Sequence, residues 1–322
     1  MSVREKVLVR LLEATDSVSR TGLSSELGVS RGAIWKHVTA LRQEGYQIAA
    51  SPGCGYRLAE IPDALHPAVF LPLVKGRFGR SFHFYPVVSS TNDVAKGLAR
   101  RGAPEGTLVV AEQQTGGRGR RGRAWHSPPG GLWFSLVLYP PVLPAATQSL
   151  PLILSLAVQE ALTAFPVPPV ALKWPNDLVY RGRKIGGILV ELGAEAEAVR
   201  FVVAGIGLNV NITSFPPEVA ETATSLKLLA GKALNRAELL ATILVTLEDY
   251  YVRWCREGFG PYQKVYEQRL VLRGCSVEID YAGQRISGTV EGVDVGGHLI
   301  LLLSDGTRWS FAGGEVSLRG KW

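Results

Sequence analysis

Cysteine is scarce in this chain: Cys54, Cys255 and Cys275 are the only three in 322 residues. So few and so scattered, they exclude a disulfide framework and a cysteine-built zinc site, and they point to a reducing compartment. Long apolar runs are also missing. Stretches such as Leu152–Val158 fall far short of the roughly 20 residues that a membrane-spanning helix needs. No leader peptide is expected, because Met1-Ser2-Val3-Arg4-Glu5 opens directly into an amphipathic pattern. No internal repeat stands out. Acidic residues are in deficit, 28 Asp+Glu against 35 Lys+Arg, and the net charge of +7 suits an anionic partner without naming it. What is plentiful is apolar: 46% hydrophobic residues over this length support two or three packed domains.

The first block runs to about residue 62. Val3, Val7, Leu8, Leu11 and Leu12 recur at helical spacing. The stretch "SSELGVSRGAIWKHVTALRQEG" (Ser24–Gly45) then divides at Gly28-Val29. A short helix from Ser24 is expected to end at Gly28 in a left-handed C-cap. Ser30 then caps a second helix, Ser30–Glu44, with Ile34, Val38 and Leu41 as its inward stripe. Two short helices joined by a tight glycine turn make a helix-turn-helix. "YQIAASPGCGYRLAE" (Tyr46–Glu60) follows as two short strands around a turn at Pro52-Gly53, which adds a wing. Ser30, Arg31, Lys36 and His37 are the helix residues expected to meet a major groove, and Arg57 on the wing is placed to touch phosphate. Residues 1–60 carry eight Lys+Arg and six Asp+Glu, so the order of helices, turn and wing argues for DNA more strongly than charge does.

The second block, roughly 66–270, reads as mixed α/β. Thr107–Glu112, Leu132–Leu138, Lys184–Leu192 and Phe201–Gly205 have strand character. Leu150–Phe165 is apolar all round, a buried helix entered near Pro151. Asn235 with Glu238 signals another helix start, and Leu239, Leu240, Ile243, Leu244, Leu247 and Tyr251 mark one face of it. The third block, 271–322, has short strands between glycine turns ("GCSVEID", "GTVEGVD", "HLILLL", "TRWSFAGG"), spaced as in a small antiparallel barrel.

One stretch demands an account: "GGRGRRGRAW" (Gly116–Trp125) alternates four glycines with four arginines and carries no acid. Arginine offers a planar fork for phosphate or carboxylate, and glycine lets backbone N–H groups approach an anion closely. "SSTN" (Ser89–Asn92) follows the strand-like "SFHFYPVV", and Gln114 sits just before the arginine run. "LKWPNDLVYRGRKIGGILVEL" supplies Lys173, Asn176, Asp177 and Lys184 within one segment, and "GIGLNVN" (Gly205–Asn211) follows another strand.

In this order and phrasing, "SSTN", "GGRGRRGRAW", "KWPND", "RKIGGILVE" and "GIGLNVN" closely resemble the biotin–protein ligases, especially the bifunctional ones that also repress biotin-synthesis genes. The resemblance implies an α+β chain in three domains. These are a winged helix-turn-helix (1–62), a central mixed α/β ligase domain of the biotin/lipoate type (66–270) and a small SH3-like β-barrel (271–322). It implies that ATP adenylates biotin with magnesium present, and that a lysine of a biotin carboxyl-carrier protein then takes the biotin from biotinyl-AMP. Biotinyl-AMP is also the expected corepressor, promoting a homodimer on operator DNA in the cytoplasm, with no membrane involved.

The site residues carry over by motif. Arg120 and Lys184 are the expected catalytic charges. Ser90, Thr91, Asn92, Gln114, Arg118 and Gly119 join them around biotin, where hydroxyl and amide groups suit a neutral ureido ring. Lys173, Asn176, Asp177 and Asn209 match the nucleotide side, with Asp177 toward magnesium. The arginine loop is expected to be mobile when empty and ordered over the adenylate. Ala124 stands where relatives often have a basic residue, and the proline-rich segments Pro140–Pro144 and Pro166–Pro169 match no function. Two other readings share these signals: a lipoate–protein ligase, and a DNA-binding regulator whose middle domain senses a ligand without ligase activity. A purely RNA-binding protein fits less well, because the cationic run is single and lies between strands.

Overall fold

Ser2 and Glu5 close a reciprocal cap on the first helix, α1 (Val3–Glu13). Glu5 N–H donates to Ser2 Oγ at 3.2 Å and Ser2 N–H donates to Glu5 Oε2 at 2.6 Å. The coordinates are a computed structural model that describes every residue except 1, 44, 52, 61–62, 196–197, 282 and 319–322. Among those excluded are Pro52 of the expected wing turn, Glu44 at the expected end of the second helix of the motif, and residue 62 at the expected domain edge. The chain forms two compact units, residues 1–73 and 74–322.

In the first unit α1 buries Val7, Leu8 and Leu11, as its spacing predicts. The next helix, α2 (Arg20–Leu27), begins earlier than the expected start at Ser24. The reason is a cap upstream: Ser19 Oγ accepts the Gly22 N–H at 2.9 Å. Gly28 ends the helix at φ 65, the left-handed conformation that glycine adopts without a Cβ penalty. Helix α3 (Arg31–Gln43) is capped by Ser30, whose Oγ accepts the Ala33 N–H at 3.1 Å, and it buries Ile34, Val38 and Leu41. The wing is an antiparallel pair, β1 (Gln47–Ser51) and β2 (Gly55–Glu60). Val18 and Tyr56 exchange backbone hydrogen bonds at 2.7 and 2.9 Å, which ties the α1–α2 connection to the wing. A short helix, α4 (Pro67–Phe70), ends the unit.

The second unit opens with β3 (Phe82–Val88), α5 (Thr91–Arg100), β4 (Leu108–Gln114), β5 (Leu132–Leu138) and α6 (Leu150–Leu162). Strands β6 (Ala171–Lys173), β7 (Asp177–Tyr180), β8 (Arg183–Glu195) and β9 (Ala198–Leu208) follow. They assemble into a seven-stranded sheet in the order β3-β4-β5-β9-β8-β7-β6. Only β3 and β4 run parallel in it; the other ladders are antiparallel. Every residue of β5 is buried, so both faces of the sheet are covered there, and this explains why it is apolar on both faces with a single serine. Helix α5 packs Ala95 and Ala99 on Val109, Val137, Phe201 and Val203. Helix α6 lies against β6, β7 and β8.

Beyond the sheet come α7 (Leu226–Ala230), α8 (Arg236–Glu257) and α9 (Gln263–Arg269). Helix α8 packs on α6 and buries all six residues of the expected face. The chain finishes with β10 (Ser276–Tyr281), β11 (Gln284–Val293), β12 (Leu299–Leu302), β13 (Arg308–Phe311) and β14 (Glu315–Leu318). These form an antiparallel sheet in the order β13-β12-β11-β10-β14. The rings of Tyr281 on β10 and Phe311 on β13 meet at 5.4 Å although two strands separate them in that order, so the sheet curls upon itself. Contacts with the β6–β7 turn, with the arginine loop and with α9 fasten this sheet to the rest of its unit. Trp174 Nε1 donates to Gly297 O at 3.0 Å, and Arg121 Nη2 reaches Asp280 O at 3.5 Å.

Asn235 Oδ1 accepts the N–H groups of Ala237 and Glu238 at 3.0 and 3.2 Å, satisfying two donors at the start of the helix that covers α6. Asn235→Ala is expected to destabilise the second unit by about 1 kcal/mol, and Asn235→Ser to restore most of it. Urea unfolding of the full chain checks this, and equal losses for the two variants would show that the cap contributes little.

Candidate active site

The N-terminus of α5 begins the site. Ser90 is buried at its N-cap without a side-chain capping bond. Thr91 N–H donates to Gln114 Oε1 at 2.8 Å, and Thr91 Oγ1 lies 3.0 Å from the same oxygen. Gln114 Nε2 in turn donates to Ser127 Oγ at 3.0 Å. Ser135, the one polar residue of β5, donates from Oγ to Asn92 Oδ1 at 2.6 Å. Asn92 Nδ2 donates to Glu191 Oε2 at 2.7 Å, and Lys96 Nζ donates to Glu191 Oε1 at 2.6 Å. The network closes because β9 approaches with no side chain at Gly205: a Cβ there would sit 2.1 Å from Asn92 Oδ1.

Gly116–Trp125 folds as a small hairpin. Trp125 N–H donates to Gly117 O at 2.9 Å, Gly119 N–H donates to Arg123 O at 2.7 Å, and one 3-10 turn spans Arg120–Gly122. Its arginines point to different partners. Arg118 Nη2 is 2.5 Å from Asp93 Oδ1 on α5, and this hydrogen bond holds the Asp93 carboxyl below the usual carboxylate range. Arg120 Nη1 reaches toward Asn176 Oδ1 at 3.5 Å, while Asn176 Nδ2 donates to Ile188 O at 2.7 Å.

Lys184, near the start of β8, faces Asp177. Its Nζ is 2.6 Å from Asp177 Oδ1, a close ion pair without the geometry of a directed hydrogen bond. The same ammonium stands 5.0 Å from the ring centroid of Trp125, which meets Trp133 edge-on at 6.3 Å. Trp125 Nε1 is buried without an acceptor.

These groups surround one cavity of about 1000 Å³. It is lined by Ser90, Thr91, Asn92, Gln114, Arg118, Gly119, Arg120, Lys173, Asn176, Asp177, Lys184 and Asn209, so every residue the sequence suggested for the central site borders the same space. Asn209 does so with its amide engaged: Nδ2 donates to Thr224 O at 3.0 Å and holds the segment before α7 against the sheet. The sequence reading missed Asp93, Lys96 and Glu191, whose roles depend on partners far along the chain. It also missed Ser127 and Ser135; a lone serine inside "LWFSLVL" was the available signal. Gly314 and Val316 of the C-terminal sheet border the cavity as well.

In the first unit Arg31, Lys36 and Arg57 are exposed, as expected. Ser30 has its hydroxyl engaged in the cap. His37 is half-buried and borders a small hollow with Ser2, Val3 and Arg4, so it flanks α1 instead of standing clear on the outer face. At 3.6 residues per turn, position 37 falls beside the Ile34–Val38–Leu41 stripe and not opposite it.

The geometry agrees with relationships across the whole chain. Residues 3–57 match the HTH domain family, 84–209 the Biotin/lipoate A/B protein ligase family, and 274–319 the Biotin protein ligase C terminal domain. The chain is 37% identical over 313 residues to the bifunctional ligase/repressor BirA of Bacillus subtilis, covering 95% of this chain and 96% of that protein. It is 34% identical over 314 residues to the protein of the same name from Escherichia coli, covering 97% and 96%. Among solved structures it is similar to the biotin protein ligase from Aquifex aeolicus in complex with biotin and ATP. The TM-score there is 0.66 at 33% identity, over 74% of this chain and 99% of that one. With 37% identity to such a protein over nearly the whole of both chains, and all three domain families matched, this protein belongs to the family of bifunctional biotin–protein ligases and repressors.

Proposed function

We propose that both halves of biotin transfer take place in the cavity under the arginine hairpin. As a member of its family the chain is a biotin–protein ligase and a DNA-binding repressor, with ATP and biotin as substrates. In the first step a carboxylate oxygen of biotin bonds to the α-phosphorus of ATP while the bond to the pyrophosphate oxygen breaks. Biotinyl-AMP and pyrophosphate result. In the second, the neutral ε-amine of a carboxyl-carrier lysine attacks the acyl carbon, AMP departs, and the amine loses its extra proton.

The observation that supports this reading is the convergence of Arg120 and Lys184, from separate elements, on a cavity near the upper end of small-molecule sites in size. Two anions must meet there, and fixed cations favour the more highly charged transition state over the separated reactants. Ser90, Thr91, Asn92 and Gln114 hold the neutral ring system of biotin, and Gly119 lets the hairpin backbone come close. Lys173, Asn176, Asp177 and Asn209 form the nucleotide side. Among the described residues no group of three or more His, Cys, Asp or Glu could cage a metal. Asp177 borders the cavity and would hold a magnesium ion carried mainly by phosphates, where the ion would neutralise the departing pyrophosphate. Arg118 joins Ser90, Thr91, Asn92 and Gln114 around biotin, and its bond to Asp93 anchors the hairpin.

The same reading divides the chain into 1–62, 66–270 and 271–322, the first meeting operator DNA through Ser30, Arg31, Lys36, His37 and Arg57. Biotinyl-AMP promotes a homodimer that presents two such domains to a symmetric operator. The proposed setting is the cytoplasm, with no membrane involved; no helix among the described residues is long and apolar enough to cross a membrane.

Incubation with biotin, Mg-ATP and a carboxyl-carrier domain should release pyrophosphate and leave biotin covalently on the carrier. Lipoate in place of biotin should not substitute. Arg120→Ala or Lys184→Ala is expected to slow adenylate formation roughly 10²–10³-fold. Lys184→Arg should restore it only in part, because a planar fork does not replace a compact ammonium. Wild-type rates in both alanine variants would remove the assignment.

Asp93→Asn tests the anchor. Both side chains of the Asp93–Arg118 pair are partly exposed, so a loss of up to about 1 kcal/mol, roughly fivefold in adenylate retention, is expected. Because the folded Asp93 pKa is depressed, its contribution is present at neutral pH and is lost as pH falls through that lowered value. The wild-type and Asn variants should therefore converge at low pH, as dissociation of biotinyl-AMP measured across pH would show.

A further inference from the structure

Helix α3 carries a tryptophan that packing covers only in part. Trp35 is 52% exposed, the most exposed tryptophan among the described residues. Gly32, Trp35, Lys36 and Thr39 follow each other at i, i+3, i+4 and i+7, a stripe on the face opposite Ile34, Val38 and Leu41. None of these four is buried, and Gly32, Trp35 and Lys36 are exposed. A Cβ on Gly32 would meet only Ser30 Oγ, at 3.8 Å, so space beside the indole is open. The charge on this helix has one sign. From Arg31 to Gln43 the helix contains Arg31, Lys36 and Arg42 and no acid, and Arg57 is exposed on the wing.

An exposed indole in water forgoes burial worth far more than most surface side chains offer. An apolar protein partner would explain the indole but not the surrounding cations. Duplex DNA explains both, because phosphates take the cations and the thymine methyl is the apolar feature of the major groove. The indole also carries a donor and no acceptor, which matches the N7, O6 and O4 acceptors exposed there and not the amino groups.

We propose that Trp35 is a sequence-reading residue of this repressor, packing its indole on a thymine methyl in the major groove while Arg31, Lys36 and Arg57 hold the backbone. This rests on the DNA-binding reading and adds to it the base that α3 selects.

The test uses the full chain with biotin and Mg-ATP, and duplexes recovered by selection from a random-sequence pool. Trp35→Ala is expected to weaken binding to the selected duplex roughly 10–100-fold and to leave binding to a scrambled duplex unchanged. The salt slope should stay at its wild-type value, whereas Lys36→Ala should reduce it by about one ion. Replacing single thymines by uracil removes only the methyl. One such position per half-site should weaken the wild-type protein and have no further effect on Trp35→Ala, and Trp35→Phe should retain most of the discrimination.

Equal losses on selected and scrambled duplexes, or additive effects of uracil and Trp35→Ala, would overturn the role of Trp35 and leave the repressor reading intact. So would altered self-association of Trp35→Ala without DNA, which would mark the indole as a protein contact. A wild-type chain that enriches no sequence would overturn the repressor reading itself, and this inference with it.

Discussion

Fixed positive charge beside a half-buried cavity has to be held in place, and that constraint organises the ligase unit. A long cationic side chain left to itself samples many rotamers and stays hydrated. Here each cation has a partner from a different part of the chain: Lys184 with Asp177, Arg118 with Asp93, Arg120 with Asn176. The partners sit on β7, on α5 and in the turn between β6 and β7, so the cations inherit the rigidity of the sheet and of the helix packed on it. On the proposed reading, substrates that are themselves anions then meet charges already in position, and little reorganisation remains for the reaction.

That rigidity depends on polar groups inside an otherwise apolar sheet. Ser135 interrupts β5 to fix Asn92, and Asn92 links α5 to Glu191 on β8. A buried amide or hydroxyl without a partner would be costly, so such a chain is stable only when every member is satisfied. Gly205 belongs to the same arrangement, since any side chain there would collide with Asn92. The arginine hairpin rests on this base through Asp93 and reaches the C-terminal sheet through Arg121.

The DNA-binding unit follows a different logic. Its helices are held by an apolar stripe and by local caps, and its outer face is left cationic with one large aromatic. On the proposed reading, stability and recognition are therefore assigned to opposite sides of α3. Residues such as Lys36 and Trp35 can change without disturbing Ile34, Val38 or Leu41.

Much of this was legible in the residues because it is local. Helical spacing located α1, α3 and the inner face of α8, and Ser30, Gly28 and Asn235 marked helix ends through hydrogen bonds within a few residues. The apolar run around Ser135 set β5. The resemblance supplied the chemistry, and the suggested central residues do border one cavity. Tertiary structure decided what depends on distant partners. The start of α2 moved to Arg20 because Ser19 caps it, a choice between two nearby serines that spacing does not make. His37 turned toward α1 because its angle on the helix lies close to the buried stripe. The pairing of Asp93 with Arg118, the use of Glu191, the engagement of the Asn209 amide and the curl that brings Tyr281 to Phe311 all join residues separated in sequence. Helix and strand preferences act over a few residues, whereas these contacts exist only after the sheet has brought their elements together.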